Sequence, residues 1–169
     1  MSTPEIVVRV FAPPEWKAYR DFRLRALQEA PGAFAATYAD SSTMTEREWE
    51  VRLANSPRET DLPLAAEVRG ELAGMAWGKI EKSAPDLARL YQMWVAPEHR
   101  GCGVGRKILQ EVIEWARSRG ARRVELCVTC GDSPARRLYE SAGFSPIDAP
   151  GPLRPSSDLM AQTMALDIR

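Results

Sequence analysis

One stretch limits what this chain can fold into more than any other: Leu90 to Leu109, LYQMWVAPEHRGCGVGRKIL. Its apolar run, Leu90 to Val95, predicts a strand buried on both faces. Pro97 ends that strand, because proline cannot donate to a ladder and restricts the residue before it. A turn carrying Gly101, Gly103 and Gly105 then runs straight into a helix pattern. Strand, glycine turn and helix in that order make an anion site. Glycines let the backbone approach a ligand, the first helical N–H groups lack partners within the helix, and the helix dipole favours negative charge there. Spacing excludes two common phosphate motifs. A dinucleotide fingerprint or a Walker loop starting at Gly101 needs glycine at position 106, which is Arg106. The residues instead spell Arg-x-x-Gly-x-Gly over Arg100, Gly103 and Gly105.

The chain around this stretch narrows the choice further. Its 169 residues suit one domain, 1–169, large enough to bury about two-thirds of the unfolded surface. Lys+Arg and Asp+Glu balance at 23 each, so no global field draws in nucleic acid or an anionic membrane. No apolar run approaches the roughly 18 residues of a membrane helix, and the first residues lack a signal-peptide pattern. The expectation is a cytoplasmic protein. Cys102, Cys127 and Cys130 are sparse and odd in number, which suits free thiols. Cys127-x-x-Cys130 has no second ligand pair, and the single histidine, His99, stands apart, so no metal is expected.

In chain order, Ile6 to Phe11 reads as a first strand, β-branched and short. Pro13 and Pro14 suit a first helical turn, after which Trp16, Tyr19, Phe22, Ala26 and Leu27 trace a helical stripe that Pro31-Gly32 ends. A second helix spans Thr45 to Asn55, with Thr45 and Glu48 at capping-box spacing. Phe34 and Tyr38 are the aromatics between the two helices. Leu64–Val68 and Leu72–Ile80 flank Arg69-Gly70, a break of hairpin size. After the glycine turn, Val104, Ile108, Leu109, Val112, Trp115 and Ala116 form one wide apolar stripe, closed by Gly120. Val124, Leu126 and Val128 alternate with polar partners as a further strand, so a right-handed parallel βαβ unit is expected.

Another helix follows at once, capped by Ser133 before Pro134 and closed by Gly143. Asp158 to Ile168 supplies the last strand. The helix block carries Ala135, Leu138, Tyr139, Gly143 and Phe144 at the spacing A-x-x-L-Y-x-x-x-G-F. With these two blocks in this order, separated by one strand, the chain resembles the GNAT acetyltransferase superfamily. The signatures of that family are Q/R-x-x-G-x-G/A after a strand and N-x-x-A-x-x-L-Y-x-x-x-G-F after the next. The resemblance is strong from Asp86 to Phe144 and rests on element order elsewhere. It departs at Asp132, where the family has asparagine. The fold implied is α/β (α+β): a mixed, mostly antiparallel sheet of about seven strands with about four helices, opened in a V between two central parallel strands. Its last two strands form a hairpin.

The resemblance also implies chemistry. Acetyl-coenzyme A would enter the V as co-substrate, with its pyrophosphate on the turn Arg100, Gly101, Cys102, Gly103, Val104, Gly105 and Arg106. The amide of Met93 would hold the developing oxyanion and that of Val95 the pantetheine chain; Asp132, at the family's asparagine position, would lie near the pantetheine arm, and Ala135 and Tyr139 would also bind the cofactor. Tyr139 is expected to protonate the departing thiolate. An alkylammonium of pKa about 10.4 is largely protonated at pH 7, so something must remove its proton. Some family members carry a glutamate where this chain has Arg89, which cannot act as a base. Glu81, Asp86 and Tyr91 stand open as alternatives. Arg136 and Arg137 read as a solvated helix face, within reach of a 3′-phosphate. The reaction implied is transfer of acetyl to a primary amine of a small molecule by direct attack on the thioester. A protein or peptide acceptor, and a sensor without turnover, stay open. The partners expected are a small-molecule amine, no nucleic acid and no membrane, with a homodimer open as the assembly.

Overall fold

A computed structural model describes residues 2–169 of the chain. Strands β1 (Ile6–Val10), β2 (Asp61–Val68), β3 (Glu71–Ile80), β4 (Leu87–Val95), β5 (Arg123–Thr129), β6 (Ser145–Pro146), β7 (Gly151–Pro152) and β8 (Met160–Asp167) all lie in one sheet. Its order is β1-β2-β3-β4-β5-β8-β6, with β7 also pairing β8. Every pairing is antiparallel except β4 with β5. The helices are α1 (Trp16–Glu29), α2 (Tyr38–Ser41), α3 (Glu46–Ala54), α4 (Val104–Ser118) and α5 (Pro134–Ser141).

The helix ends follow local chemistry. Thr45 accepts from the Glu48 amide while the Glu48 carboxylate accepts from the Thr45 amide, and Ser133 accepts from the Arg136 amide. The expected mixed, mostly antiparallel sheet with one parallel pair is present. Eight strands replace the seven expected, because the Pro/Gly-rich tail pairs with β8 twice in two-residue pieces. Pro146 and Pro152 lack an N–H and keep those pieces short and at the edge. The fifth helix is the single turn α2, which Thr37 caps by accepting from the Asp40 amide.

The sheet carries a core on each face. On one, α4 packs Ile108, Val112 and Trp115 against Leu62, Leu64, Leu126 and Met164. On the other, α1 and α3 pack Tyr19, Phe22, Trp49 and Leu53 against Met75, Trp77 and Trp94. The rings of Phe11, Tyr19, Trp49 and Trp77 meet edge to face around Tyr19, at centroid separations of 5.5 to 5.9 Å. Helix α4 comes close because β3 presents small residues to it. A Cβ on Gly74 would stand 2.8 Å from Ile108 Cδ1 and 3.2 Å from the Trp94 carbonyl.

Gly74→Val is therefore expected to push α4 off the sheet and destabilise the protein by about 1–3 kcal/mol. Urea unfolding checks it: the midpoint should fall with an unchanged slope. An unchanged midpoint would mean that the helix has room to spare.

Candidate active site

The parallel ladder between β4 and β5 runs from Leu87 opposite Arg123 to Leu90 opposite Leu126 and then stops. Beyond it, β4 stays with β3 as far as Val95, and β5 stays with β8 as far as Thr129. The two strands part, and a cleft of about 1560 Å3 lies between and around them. This corrects the reading of Leu90–Val95 as buried on both faces. Tyr91 is 45% exposed, on the same open face of β4 as Arg89.

At the same point β4 bulges. Trp77 pairs Tyr91 and Met75 pairs Trp94, so Gln92 and Met93 together face Ala76 alone. Gln92 sits at φ 57, and the Tyr19 hydroxyl donates to its Oε1 at 2.6 Å. The extra residue reverses the alternation. Leu90 belongs to the α4 core, whereas Trp94 belongs to the α1 core. Gln92 and Met93 have no register partner on β3 or β5, and both line the cleft.

The glycine turn closes one end. Gly101 and Gly103 adopt φ of 80 and 93, and Gly103 is the N-cap of α4 with no side chain to cap it. The first amides of a 15-residue helix are thus free of a side-chain cap at the cleft. Gly101, Gly103, Val104, Gly105 and Arg106 line the cleft. Cys102 does not; its thiol donates to the His99 carbonyl at 3.0 Å. Nor is the Arg100 guanidinium free, since it bonds the Val95 carbonyl at 2.9 Å and Glu29 at 2.9 and 3.3 Å. Lys107 donates to the Ile6 carbonyl at 2.7 Å. Arg106 makes no ion pair among the described residues, which leaves it as the cation available at this helix start.

Across the cleft stands α5. Ser133, Pro134, Ala135, Leu138 and Tyr139 line it. A Cβ on Gly105 would meet Leu138 Cδ2 at 3.1 Å and Met93 Cε at 3.5 Å, so α4 and α5 touch there. Tyr139 is 5% exposed, and burial alone raises its phenol pKa well above the ordinary value. Asp132 is not among the lining residues; its exposed carboxylate faces Arg137 at 3.5 Å. Arg136 is engaged by Glu140 and Gln162. Cys130 lines the cleft beside Cys127, whose thiol burial pushes up, helped by Asp148 and Cys130. No group of three or more His, Cys, Asp or Glu side chains fit to hold a metal occurs among the described residues.

The third wall is the sheet face opposite α4, closed by α1 and the segment after it. Phe34 lines it, while Tyr38 lies outside and is 39% exposed. Two residues that the sequence did not single out stand here. Glu125 is the one carboxylate among the lining residues, at the point where the strands part, with Arg89 and Arg123 each 3.9 Å away. Arg23 is 5% exposed and lines the same space. Of the earlier base alternatives, Tyr91 lines the cleft. Glu81 lies at a separate small depression, and the Asp86 carbonyl is bonded by the Arg122 and Arg123 amides. Alternation puts Glu125 opposite α4, but no sequence signal tells that this face borders the cleft.

Comparison with known proteins adds family context. Residues 17–144 match the acetyltransferase (GNAT) family. A mycothiol acetyltransferase of Thermobispora bispora is 38% identical over 84 residues, which are 47% of this chain and 28% of that protein. The chain thus spans well under two thirds of the length of such curated relatives. The acetyltransferase of GNAT family from Streptococcus pneumoniae superposes with a TM-score of 0.81 at 24% identity, covering 98% of this chain and 100% of that one. The yncA protein of Salmonella typhimurium, solved with its cofactor acetyl-CoA, gives 0.80 at 19% identity, covering 98% and 95%. At those identities the likeness is one of fold.

Two ion pairs hold the segment between β4 and α4 to α1, Arg25 with Glu98 at 2.7 Å and Glu29 with Arg100 at 2.9 Å. Glu29 accepts from Arg100 and, at 2.9 Å, from Trp94 Nε1, and these contacts, Arg100 first, hold its pKa below the ordinary 4.5. A carboxylate with a depressed folded pKa stabilises fully above the unfolded value and stops doing so as pH falls through the folded one. Glu29→Gln should therefore lower stability by about 1 kcal/mol at pH 7. That gap should narrow as the pH is taken progressively below 4.5. Urea midpoints of both proteins across pH check it; a gap that is constant with pH would refute an ionic contribution.

Proposed function

The chain belongs to the acetyltransferase (GNAT) family, and from that premise we propose that it moves the acetyl group of acetyl-coenzyme A to a primary amine of a small molecule. The observation that carries this reading is the parting of β4 and β5 after Leu90 and Leu126, with the uncapped start of α4 at its mouth. A thioester threaded through that gap would bring its phosphates to the α4 amides and Arg106. Backbone N–H groups and one cation suit a pyrophosphate.

Acetyl-coenzyme A supplies an acyl carbon already activated by a thiolate leaving group. The residues of the chain supply the rest. Met93, in the bulge and without a ladder partner on β3 or β5, offers its amide to the carbonyl oxygen as that oxygen becomes negative. Glu125 takes the proton of the attacking amine, directly or through a water. The freed amine nitrogen forms a bond to the acyl carbon and gives up a second proton to solvent as the C–S bond breaks. Tyr139, a phenol that is neutral at pH 7 with or without the upward push of burial, donates to the leaving thiolate and is reprotonated by solvent. The walls of Arg23, Phe34 and Tyr91 around the acceptor space support a small polar molecule as acceptor.

The test is release of coenzyme A thiol from acetyl-coenzyme A across a panel of small amines and peptides. Turnover of small amines supports the proposal, binding without turnover would make the protein a sensor, and turnover of peptides alone would make it a protein acetyltransferase. Tyr139→Phe and Glu125→Gln should each lower kcat by roughly a hundredfold to ten-thousandfold. The two should differ with pH. The Glu125→Gln loss should shrink as the pH approaches the amine's own pKa of about 10, whereas the Tyr139→Phe loss should not. A change within about threefold, under 1 kcal/mol, would make either residue structural.

A further inference from the structure

Arg23 is the most anomalous charge in the molecule. It lies on α1 within the apolar face that holds Tyr19, Phe22, Ala26 and Leu27, and 5% of it is exposed. Its Nη1 is fully buried without a hydrogen-bond partner. The Phe34 ring covers the guanidinium at 4.6 Å, and no carboxylate pairs with it among the described residues. Burial pushes its pKa down to about 10, so it stays charged at pH 7. The other cations of this wall are placed differently: Lys79 pairs with Asp61 at 3.3 Å, Arg89 lies 3.9 Å from Glu125, and Arg52 is exposed over Trp49. Removing a charge from water without a partner is costly by several kcal/mol. Yet this one borders the cleft rather than a closed core.

Its position relative to the reacting centre follows from the helix. Tyr19 lies four residues before Arg23, on the same face, and its hydroxyl holds Gln92 in the bulge beside Met93. Four residues are about 6 Å along a helix axis. Arg23 thus stands one turn of α1 from the residue that holds Gln92, and Arg23, Gln92 and Met93 line the same cleft. We infer that Arg23 binds a carboxylate carried by the acceptor itself, so that the substrate is an amino acid or another amine bearing a carboxylate. This rests on the acetyl-transfer reading and narrows it. One deep, unpaired positive charge balances a monoanion, and a planar guanidinium edge fits a planar carboxylate with two parallel bonds. Glu125 on the same wall would disfavour a dianion.

The experiment measures thiol release with α-, β- and γ-amino acids, each beside its carboxamide, and with aminophosphonates and plain alkylamines. The free acid should be preferred to its carboxamide in kcat/KM by about a hundredfold. Arg23→Gln should bring that ratio to within about threefold, and Arg23→Lys, which keeps the charge but loses the fork, should fall between. Without substrate, Arg23→Met should unfold at an equal or higher urea midpoint, since it removes an uncompensated charge. A lower midpoint together with an unchanged acid-to-amide ratio in Arg23→Gln would make the residue structural and overturn the inference. Equal use of acids and carboxamides by the wild type would overturn it and leave acetyl transfer standing. Preference for phosphonates would overturn the carboxylate assignment. If no amine is turned over while acetyl-coenzyme A binds, the transfer reading fails, and titration calorimetry of the amino acids into that complex decides. Heat in the wild type that Arg23→Gln abolishes supports the anion site; no heat overturns it.

Discussion

Two parallel strands, β4 and β5, share a ladder only as far as Leu90 and Leu126, and just beyond that point β4 takes in an extra residue against β3. A bulge bends its strand and increases the local twist. The same irregularity that reverses the faces of Leu90 and Trp94 also turns the end of β4 away from β5. What would otherwise be two central strands paired to their ends becomes a wedge-shaped gap lined by backbone without ladder partners. Burying such backbone inside a core would be unfavourable. Left facing an open cleft, it can be met by water or by a ligand. The positive φ of Gln92, bridged to Tyr19 on α1, ties this arrangement to the second core.

Charge is distributed around the gap by subtraction. The chain is neutral, with 23 residues of each sign, and most of its cations are engaged by nearby acceptors. Arg100 closes on Glu29, Lys107 on the Ile6 carbonyl and Arg136 on Glu140. Among the cations that line the cleft, the pairing leaves Arg106 at the start of α4 and, in the opposite wall, Arg52 exposed and Arg23 deep. One end of the cleft suits an anion by helix amides and an exposed cation, the other by a desolvated one. The two differ in strength for the same reason: an exposed pair is screened by water, whereas a buried guanidinium interacts at much lower effective dielectric.

Where a signature residue sits and where its side chain turns are decided separately. Arg100, Cys102 and Asp132 sit at the signature positions, yet the Arg100 guanidinium, the Cys102 thiol and the Asp132 carboxylate turn to Glu29, His99 and Arg137. A motif in sequence specifies a backbone path, and the side chains along it choose partners that come from distant segments. Arg23 and Glu125 carry no local signal for the converse reason. One looks like a polar interruption in an amphipathic helix and the other like the solvent side of an alternating strand.

Local chemistry was enough to determine most of the elements from the sequence alone. Capping residues Thr45 and Ser133, terminators Gly120 and Gly143, and the apolar stripe of α4 each act within one or two turns of chain, so they are legible without a fold. The glycine turn and the order of its flanking elements likewise pointed to the family. Tertiary structure alone decided how far β4 and β5 pair, where the bulge falls, which cations are spent on ion pairs and which face of β5 borders the cleft. Each of these depends on groups separated by tens of residues, such as Tyr19 with Gln92 or Glu29 with Arg100. Such contacts are set by how the two cores pack the sheet from opposite sides, and no local pattern encodes them.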